Sequence, residues 1–398
     1  MSSSSPDTPM SAAGSVLPLS FASALSVNRH AIAMSQPMNA SAPTPVSAPP
    51  SSFHAHAARA SGDDRGTHAD CPVLIGLDWG TTSLRAYLFD AAGRVVAQRS
   101  SAAGIMNLPC PADEGGFDTA FDAVCGEWLA QRADLPVVAS GMVGSAQGWM
   151  LAPYAEVPAG ADSLVRRLVQ VRTARGTTIS IVPGLIEDGE LPNVMRGEET
   201  QIVGASLQNA ALASGGSRML VGLPGTHAKW AIVVDGTIQR FYTFMTGEVF
   251  AALRGHTILG RTMVAPSSPQ TDAFLHGVDV ARRTDSAGVL STIFTMRTLG
   301  LTARLRADQQ SDYLSGLLIG HELAGLERML AAQQMTLRER PPILVGDASL
   351  CARYRLALSL FGCADVTLTE RATELGLWSI AVKAGLVAAT SARHVGSR

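Results

Sequence analysis

The chain has 398 residues, 46% of them hydrophobic, and a formal net charge of −2, so it is long enough for two domains that each bury a core. The near-zero charge provides no electrostatic argument for binding nucleic acid or an anionic membrane, and no apolar run reaches the roughly 18 residues that a membrane helix needs. Five scattered cysteines without a Cys-x-x-Cys pair argue against a disulfide framework or structural zinc and indicate a reducing cytoplasm.

Residues 1–70 differ in composition from the rest of the chain. Serine, alanine and proline dominate, as in Ala42–Pro50. Such a segment buries too little apolar surface to offset the entropy lost on ordering. We therefore predict a disordered, low-complexity extension over residues 1–70. A cleaved organellar peptide is one alternative, and a start assigned too early, with Met34 or Met38 as the true initiator, is another.

The first structured segment is predicted to be a hairpin. Val73–Leu77 is apolar and rich in β-formers, which predicts a buried strand that ends at the carboxylate of Asp78. The turn Gly80-Thr81-Thr82 follows, and Leu84–Phe89 is a second strand. Glycine lets backbone N–H groups approach an anion, neighbouring hydroxyls add donors, and an acid beside them can hold Mg²⁺ through water. The hairpin is therefore a candidate nucleotide-phosphate site; an ordinary hairpin, in which Asp78 accepts from turn amides, is the alternative.

Helices and strands then alternate. Helices are predicted at Phe117–Arg132 and Ala161–Arg172, and strands at Leu135–Ala139 and Thr178–Val182. Ligands of open α/β sheets bind beyond the carboxyl ends of the strands, so Ser140, Gly141, Met142 and Ser145 are candidates for a sugar pocket. A plain glycine-rich turn explains the same residues equally well.

Two adjacent glutamates, Glu198 and Glu199, lead into the predicted helical run Ile202–Ala213. Acids at a helix start are often only partners of the helix dipole. Transfer of a phosphoryl group to an alcohol, however, benefits from a carboxylate that accepts the hydroxyl proton. Neighbouring helical side chains point about 100° apart, so only one glutamate should face a substrate. Glu198 is preferred, and Asp188 is the alternative base.

A second segment, Arg218–Gly236, repeats the first. It is again a strand, a turn containing Gly225 and Thr226, and a strand, which ends at the strong hairpin turn Asp235-Gly236. Lys229 is near enough to the turn to contact phosphate, or it lies on the strand facing solvent. Two copies of one hairpin indicate an internal duplication, and hence two related lobes that face each other across a cleft.

The remainder is predicted to be mainly helical, with a strand–glycine–helix unit near the end. Helices are predicted at Val249–Leu253, Phe274–Arg283, Gly288–Leu299, Ser311–Met329 and Ala372–Val387, and a last strand at Val366–Leu368. From Pro342 the chain forms a strand, then Gly346, then a helix to about Phe361. Asp347 begins that helix, where it can cap the helix or accept from ribose hydroxyls.

Several of these segments together resemble a known enzyme family. Leu77–Ala86, Ala139–Ser145, Val194–Gln201 and Gly222–Trp230 are similar to segments of the 2-dehydro-3-deoxygalactonokinases. The resemblance extends from about Val73 to about Gly385. The paired Gly-Thr hairpins also resemble the phosphate loops of the wider superfamily of sugar kinases, heat-shock ATPases and actin. Each motif alone would be weak, whereas the set is specific.

The resemblance implies an α/β fold of two RNase H-like lobes with mixed sheets around a nucleotide cleft, the actin-like ATPase and sugar kinase fold. Residues 71–204 would form the N-terminal lobe with the first phosphate loop, and residues 205–398 the C-terminal lobe with the second loop and the adenosine site. The implied reaction is ATP-dependent phosphorylation of the terminal C6 hydroxyl of 2-dehydro-3-deoxy-D-galactonate, with ATP and Mg²⁺ as cofactors. The expected partner is a small sugar acid, with no nucleic acid and no membrane, in a cytoplasmic protein for which a homodimer is one assembly.

The same resemblance implies a role for each motif residue. Asp78 would hold Mg²⁺, the phosphates would contact Gly80, Thr81, Thr82, Gly225, Thr226 and Lys229, and the adenosine would adjoin Gly346. Glu198 or Glu199 would deprotonate the acceptor hydroxyl. A guanidinium suits the carboxylate of the substrate better than a lysine does, and Arg85 is the first choice, ahead of Arg196 and Arg254.

The second loop lacks the acid that many superfamily members carry there, which argues against the heat-shock and actin branches. Two other functions stay open from the sequence. One is a non-catalytic, actin-like nucleotide-binding regulator, and the other is a phosphohydrolase of the exopolyphosphatase kind. Sugar-dependent ATP turnover distinguishes the kinase from both.

Overall fold

The first strands of the chain form a six-stranded mixed sheet. The computed structural model describes residues 71–209, 216, 218–284, 287–339 and 341–388, so the predicted extension at residues 1–70 lies outside the described residues. The strands are β1 Pro72–Trp79, β2 Leu84–Asp90, β3 Val95–Ser101, β4 Val137–Ser140, β6 Val169–Arg172 and β7 Thr178–Ile181. Their order in the sheet is β3-β2-β1-β4-β7-β6. Asp78 of β1 pairs with Arg85 of β2 and Ser140 of β4, so three predicted site residues lie side by side at one end of the sheet.

A second sheet repeats this topology. Its strands are β10 Arg218–Leu223, β11 Ala228–Val234, β12 Thr237–Phe244, β13 Ile343–Val345 and β14 Thr367–Thr369, in the order β12-β11-β10-β13-β14. As in β3-β2-β1-β4-β7, an antiparallel three-stranded meander is followed by two parallel pairings. The predicted internal duplication is therefore present as a repeated order and direction of strands.

Helices flank both sheets. They are α1 Gly116–Gln131, α2 Ala161–Val165, α3 Glu198–Gln208, α4 Thr246–His256, α5 Thr271–Arg283, α6 Val289–Thr292, α7 Thr295–Leu301, α8 Gln310–Ala331, α9 Ala348–Leu360 and α10 Ala372–Lys383. In the described part of the chain, no helix has the length and apolar character needed to cross a membrane.

Two predicted helices were wrong in part. The helix expected at Ala161–Arg172 ends after α2, and β6 begins at Val169. The valines at 169 and 171 alternate with polar residues, and pairing with β7 at the sheet edge outweighs the helical pattern. The helix expected at Gly288–Leu299 is divided into α6 and α7. The small third sheet, formed by β5 Ala155–Glu156, β8 Leu185–Glu187 and β9 Asn193–Met195, was not predicted.

Helices α3 and α10 occupy the layer between the two sheets. One hydrophobic cluster joins side chains of both sheets, such as Leu74, Phe89 and Val221, with Ile202 of α3 and Leu377 of α10, and all of these are fully buried. A second cluster packs α1 on the far face of the first sheet, and a third packs α8 and α9 on the far face of the second. Because α3 begins at the cleft described below, its packing sets the position of catalytic candidates.

The start of α9 is capped as one of the two sequence interpretations predicted. The Asp347 carboxylate accepts from the N–H groups of Ser349 and Leu350, both at 3.0 Å. Capping by Asp347 is therefore confirmed. Gly346 before it has a φ of 145°, and a Cβ there would lie 3.3 Å from the Pro224 carbonyl oxygen, so the end of β13 lies close to the second Gly-Thr turn.

Candidate active site

Hydrogen bonds within the turn after β1, and from the segment that follows β3, fix the backbone of this turn. The Gly80 N–H donates to the Ser83 carbonyl at 2.9 Å, and the Met106 N–H donates to the Thr81 carbonyl at 3.1 Å. Thr81 and Thr82 are exposed. The backbone of the turn is thus fixed by hydrogen bonds while its threonines remain in contact with solvent, as a phosphate-binding turn requires.

The turn after β10 is held by the start of α4. The Glu248 N–H donates to the Thr226 carbonyl at 3.0 Å, and a Cβ on Gly247 would lie 2.4 Å from the Gly225 carbonyl oxygen, so this close approach requires glycine. The His227 ring bonds to the Glu248 carboxylate. A Cβ on Gly225 would meet no described atom within 4 Å, which leaves this stretch of backbone accessible.

Both turns line one cleft with a volume of about 340 Å³. Most of the predicted site residues lie on its wall: Asp78, Gly80, Thr81, Gly141, Met142, Arg196, Glu198, Gly225, Thr226 and Gly346. The end of β1 and the turn after β10 come from different sheets, yet they border the same cavity. The structure therefore brings the two hairpins together.

Glu198 is the glutamate that faces the cleft. Its side chain is 25% exposed, and its Oε2 accepts from the Arg196 N–H at 3.0 Å. The buried Lys229 Nζ lies 3.4 Å from Glu198 Oε1. Lys229 therefore does not lie on the solvent side of its strand; it fixes the orientation of Glu198 from behind the cleft wall.

Glu199 points into the protein instead. It is fully buried, and its carboxylate accepts from the Gly197 N–H at 2.6 Å and from the hydroxyls of Thr200 and Ser140 at 3.0 and 3.2 Å. The pKa of Glu199 is raised to about 7, mainly by burial and in addition by the nearby charge of Glu198, while the N–H and hydroxyl donors partly oppose the shift. Ser140, a candidate for the sugar pocket, is buried with Glu199 behind the cleft rather than on its wall.

We expect Glu199 to make the free energy of unfolding fall as the pH rises. Its folded pKa of about 7 exceeds the ordinary 4.5, so in this interval the folded state retains a proton that the unfolded state has lost. The stabilisation is complete below about pH 4.5, is lost as the pH rises through 7, and is on the order of 3 kcal/mol, since each pH unit contributes about 1.4 kcal/mol. Urea unfolding across this range should show a shallower pH dependence for Glu199→Gln than for wild type, and equal slopes would contradict the expectation.

Asp78 lies on the cleft wall among other carboxylates. Burial is the main cause of its raised pKa, repulsion from Glu374 and Glu198 adds to it, and Arg85, whose Nη1 is 3.6 Å from Asp78 Oδ2, opposes it. Asp78 and Glu198 on the cleft wall and Glu374 near Asp78 thus concentrate negative charge around the end of β1. Glu374, in the first turn of α10, was not predicted, because an acid at a helix start is ordinary and its nearness to Asp78 depends on the tertiary fold.

The three candidate arginines have different surroundings. The Arg85 side chain is 53% exposed and pairs with Asp78. Arg254 lines a second cavity. Arg196 is buried and lines the main cleft. Of the three, Arg196 alone combines burial with a position on the cleft wall.

The second cavity, of about 290 Å³, adjoins the cleft at Gly225, which lines both. Its walls come from α4, α8 and α9 and include Leu318, Leu350 and Arg353. Arg353 is held by an ion pair with Asp312. A partly apolar slot with a few polar groups, next to a phosphate turn, suits the base of a nucleotide.

A buried carboxylate, Glu322 of α8, joins the elements around this second cavity. It accepts from Trp230 Nε1 and from the Tyr354 hydroxyl, both at 2.7 Å, and from the Thr246 hydroxyl. These donors belong to β11, α9 and α4. The sequence predicted only a broadly apolar helix here, because no local pattern shows which donors will converge on a buried acid.

Comparison with known proteins identifies the family. The family described as 2-keto-3-deoxy-galactonokinase matches residues 78–380. A 2-dehydro-3-deoxygalactonokinase of Escherichia coli (strain K12) is 38% identical over 311 residues, which cover 77% of this chain and 97% of that protein. A probable 2-dehydro-3-deoxygalactonokinase of Rhizobium meliloti (strain 1021) is 36% identical over 323 residues, 79% and 96% of the two chains.

A solved structure agrees with these relatives. A protein from Sinorhizobium meliloti that was assigned as a 2-dehydro-3-deoxygalactonokinase aligns with a TM-score of 0.68 at 33% identity, over 78% of this chain and 98% of that chain. The predicted α/β fold with mixed sheets is confirmed. Since the family match spans well over half of the chain and the relatives align over nearly their whole length, the chain belongs to the 2-keto-3-deoxy-galactonokinase family.

Proposed function

We propose that this chain transfers the γ-phosphoryl group of ATP to the terminal C6 hydroxyl of 2-dehydro-3-deoxy-D-galactonate, a step of galactonate catabolism. The observation that carries the proposal is the shared cleft, on which Asp78, Glu198 and Thr226 all lie. The curated relatives are named for the same kinase activity. A regulator without catalysis needs no glutamate at the cleft, and a phosphohydrolase needs no sugar.

The two turns and the second cavity would bind ATP. The backbone and hydroxyls at Gly80-Thr81 and at Gly225-Thr226 would contact the phosphates from opposite sides, where fixed N–H dipoles stabilise the charge that develops. The adenosine would pass Gly346 and occupy the second cavity beside Leu350, since Gly225 borders both spaces. Lys229 is assigned no phosphate contact in this arrangement, because it pairs with Glu198.

The residues at the end of β1 fit a magnesium ion. No group of three or more His, Cys, Asp or Glu side chains in the described ranges is arranged to enclose a metal, and Mg²⁺ usually needs only one or two carboxylates plus phosphate oxygens and water. Asp78 would hold it, and the neighbouring carboxylates of Glu374 and Glu198, which add to the effect of burial on the pKa of Asp78, are negative charges that a cation would offset. A magnesium ion held by Asp78 would neutralise negative charge on the phosphates of ATP.

Glu198 is proposed as the base. The C6 oxygen forms a bond to the γ-phosphorus while its proton passes to the Glu198 carboxylate, and the bond from the γ-phosphorus to the β,γ-bridging oxygen breaks to release ADP. Lys229 behind Glu198 and the Arg196 N–H hold the carboxylate in place. Gly141 and Met142 on the same wall would adjoin the sugar.

A cytoplasmic location and a homodimer remain predictions. The location is supported by five cysteines that are all unpaired, as in a reducing compartment.

Ser145 and Arg196 belong to the sugar side of the proposed site. Thr82 of the first turn is exposed and lies off the cleft wall.

The proposal is tested by a panel of 2-keto-3-deoxy sugar acids with ATP consumption as the readout. We expect turnover that depends on the sugar acid, and a product whose phosphorus couples to the C6 protons in NMR. ATP hydrolysis that is indifferent to every sugar acid would favour a phosphohydrolase, and ATP binding without turnover would favour a regulator.

A further inference from the structure

Arg196 lines the cleft and carries buried donors that have no partner in the described part of the chain. It is 8% exposed, and its Nη2 donates to the Ala152 carbonyl at 2.7 Å. Its guanidinium lies over the Tyr154 ring at 4.6 Å. Among the residues that the structure describes, its Nε and Nη1 have no hydrogen-bond partner. The Tyr154 ring and the Ala152 carbonyl therefore fix the plane of the guanidinium, while Nε and Nη1 have no acceptor in the described part of the chain.

A second buried donor lies next to it. The Ser145 hydroxyl is also buried without a partner in the described part of the chain. Both side chains adjoin Gly144, where a Cβ would lie 2.8 Å from Arg196 Nη1. Buried polar groups normally have partners because leaving them unpaired is costly. Two such groups on either side of Gly144, one of them on a residue that lines the cleft, therefore indicate a ligand that supplies acceptors.

We infer that Arg196, assisted by Ser145, binds the carboxylate of the sugar acid and determines the preference for acids over neutral sugars. Nη2 carries a second N–H, so either Nε or Nη1 can join it in a two-pronged contact with a carboxylate. Arg85 is mostly exposed and already pairs with Asp78, and Arg254 lies at the second cavity. The inference rests on the proposed function, which supplies the acidic substrate.

The test compares the sugar acid with its primary amide, which has nearly the same shape and no charge. Wild-type kcat/KM should favour the acid by about 10²–10³-fold, as expected when a buried charge pair is lost. Arg196→Met should remove most of this preference through the KM for the sugar acid, while the KM for ATP changes by less than about threefold. Arg85→Met is the matched control and should retain the preference, whatever its effect on kcat.

Two milder variants keep the test decisive if Arg196→Met does not fold. Arg196→Lys keeps the charge without the planar fork and should retain part of the preference. Ser145→Ala should lower the preference by about tenfold, the size of one hydrogen bond to a charged group. Circular dichroism and thermal unfolding verify that each variant is folded.

The inference is overturned if a folded Arg196 variant distinguishes acid from amide as well as wild type does, or if Arg85→Met removes the preference instead. A wild type that phosphorylates the amide as efficiently as the acid also overturns it. None of these results contradicts the proposed kinase function. Failure of wild type to phosphorylate any sugar acid contradicts the proposed function, and the inference falls with it.

Discussion

Replacement of Glu198 by glutamine is expected to lower kcat by about 10²–10⁴-fold, the usual contribution of a general base. Glutamine has the size of glutamate but cannot accept the C6 hydroxyl proton. The contacts proposed for ATP, at Thr81, Gly225 and the second cavity, do not involve Glu198, so the Kd for ATP should change little. Steady-state kinetics with a coupled ADP assay and calorimetric titration of ATP measure the two quantities separately.

Glu199→Gln is the matched control for this prediction. The Glu199 side chain is fully buried and bonded to Gly197 and Thr200, so its replacement should affect stability more than kcat, which we expect to stay within about tenfold of wild type. Asp188, the other base considered, is exposed beyond β8, and Asp188→Asn should be neutral. A larger loss in Glu199→Gln or Asp188→Asn than in Glu198→Gln would show that the base is misassigned.

The parts of the fold that were predictable depend on local patterns. The two hairpins at Val73–Phe89 and Arg218–Gly236 contain apolar strands and glycine turns within a short stretch, so their formation and their duplication follow from nearby residues. β6 and the small third sheet were missed because each strand is only a few residues long and exists through pairing with strands elsewhere in the chain. Periodicity over so few residues does not distinguish a helix from an edge strand.

The features of the candidate site also fall into those that the local sequence predicts and those that depend on the tertiary fold. The phosphate turns are contiguous motifs, and helical geometry alone predicts that Glu198 and Glu199 diverge. The approach of Glu374 to Asp78 and the convergence of three donors on Glu322 are products of packing between distant segments. The burial of Arg196 is likewise a tertiary property, which explains why the sequence ranked the exposed Arg85 ahead of it.

Replacement of Gly376 by alanine is expected to destabilise the protein by at least about 3 kcal/mol, at or beyond the upper end of ordinary overpacking costs. A Cβ on Gly376 of α10 would lie 1.9 Å from the Thr200 carbonyl oxygen of α3, and a Cβ on Gly204 of α3 would lie 1.9 Å from the Ala372 carbonyl oxygen of α10. The two helices thus cross backbone to backbone, and neither contact can be relieved by rotation of a side chain. Urea unfolding of Gly376→Ala and Gly204→Ala against wild type measures the cost.

Gly255 provides a control with the opposite sign. It lies inside α4, where a Cβ would meet no described atom within 4 Å, so Gly255→Ala should be neutral or stabilise by up to about 1 kcal/mol through helix propensity. Equal effects of Gly255→Ala and Gly376→Ala would show that the crossing is looser than the structure indicates.

Because α3 starts at Glu198 and α10 carries Glu374 in its first turn, separating the helices also moves Glu198 on the cleft wall and Glu374 near Asp78. We therefore expect Gly376→Ala to lower kcat even at temperatures at which it remains folded, since a displacement of about 1 Å at a reacting group costs on the order of 10²-fold.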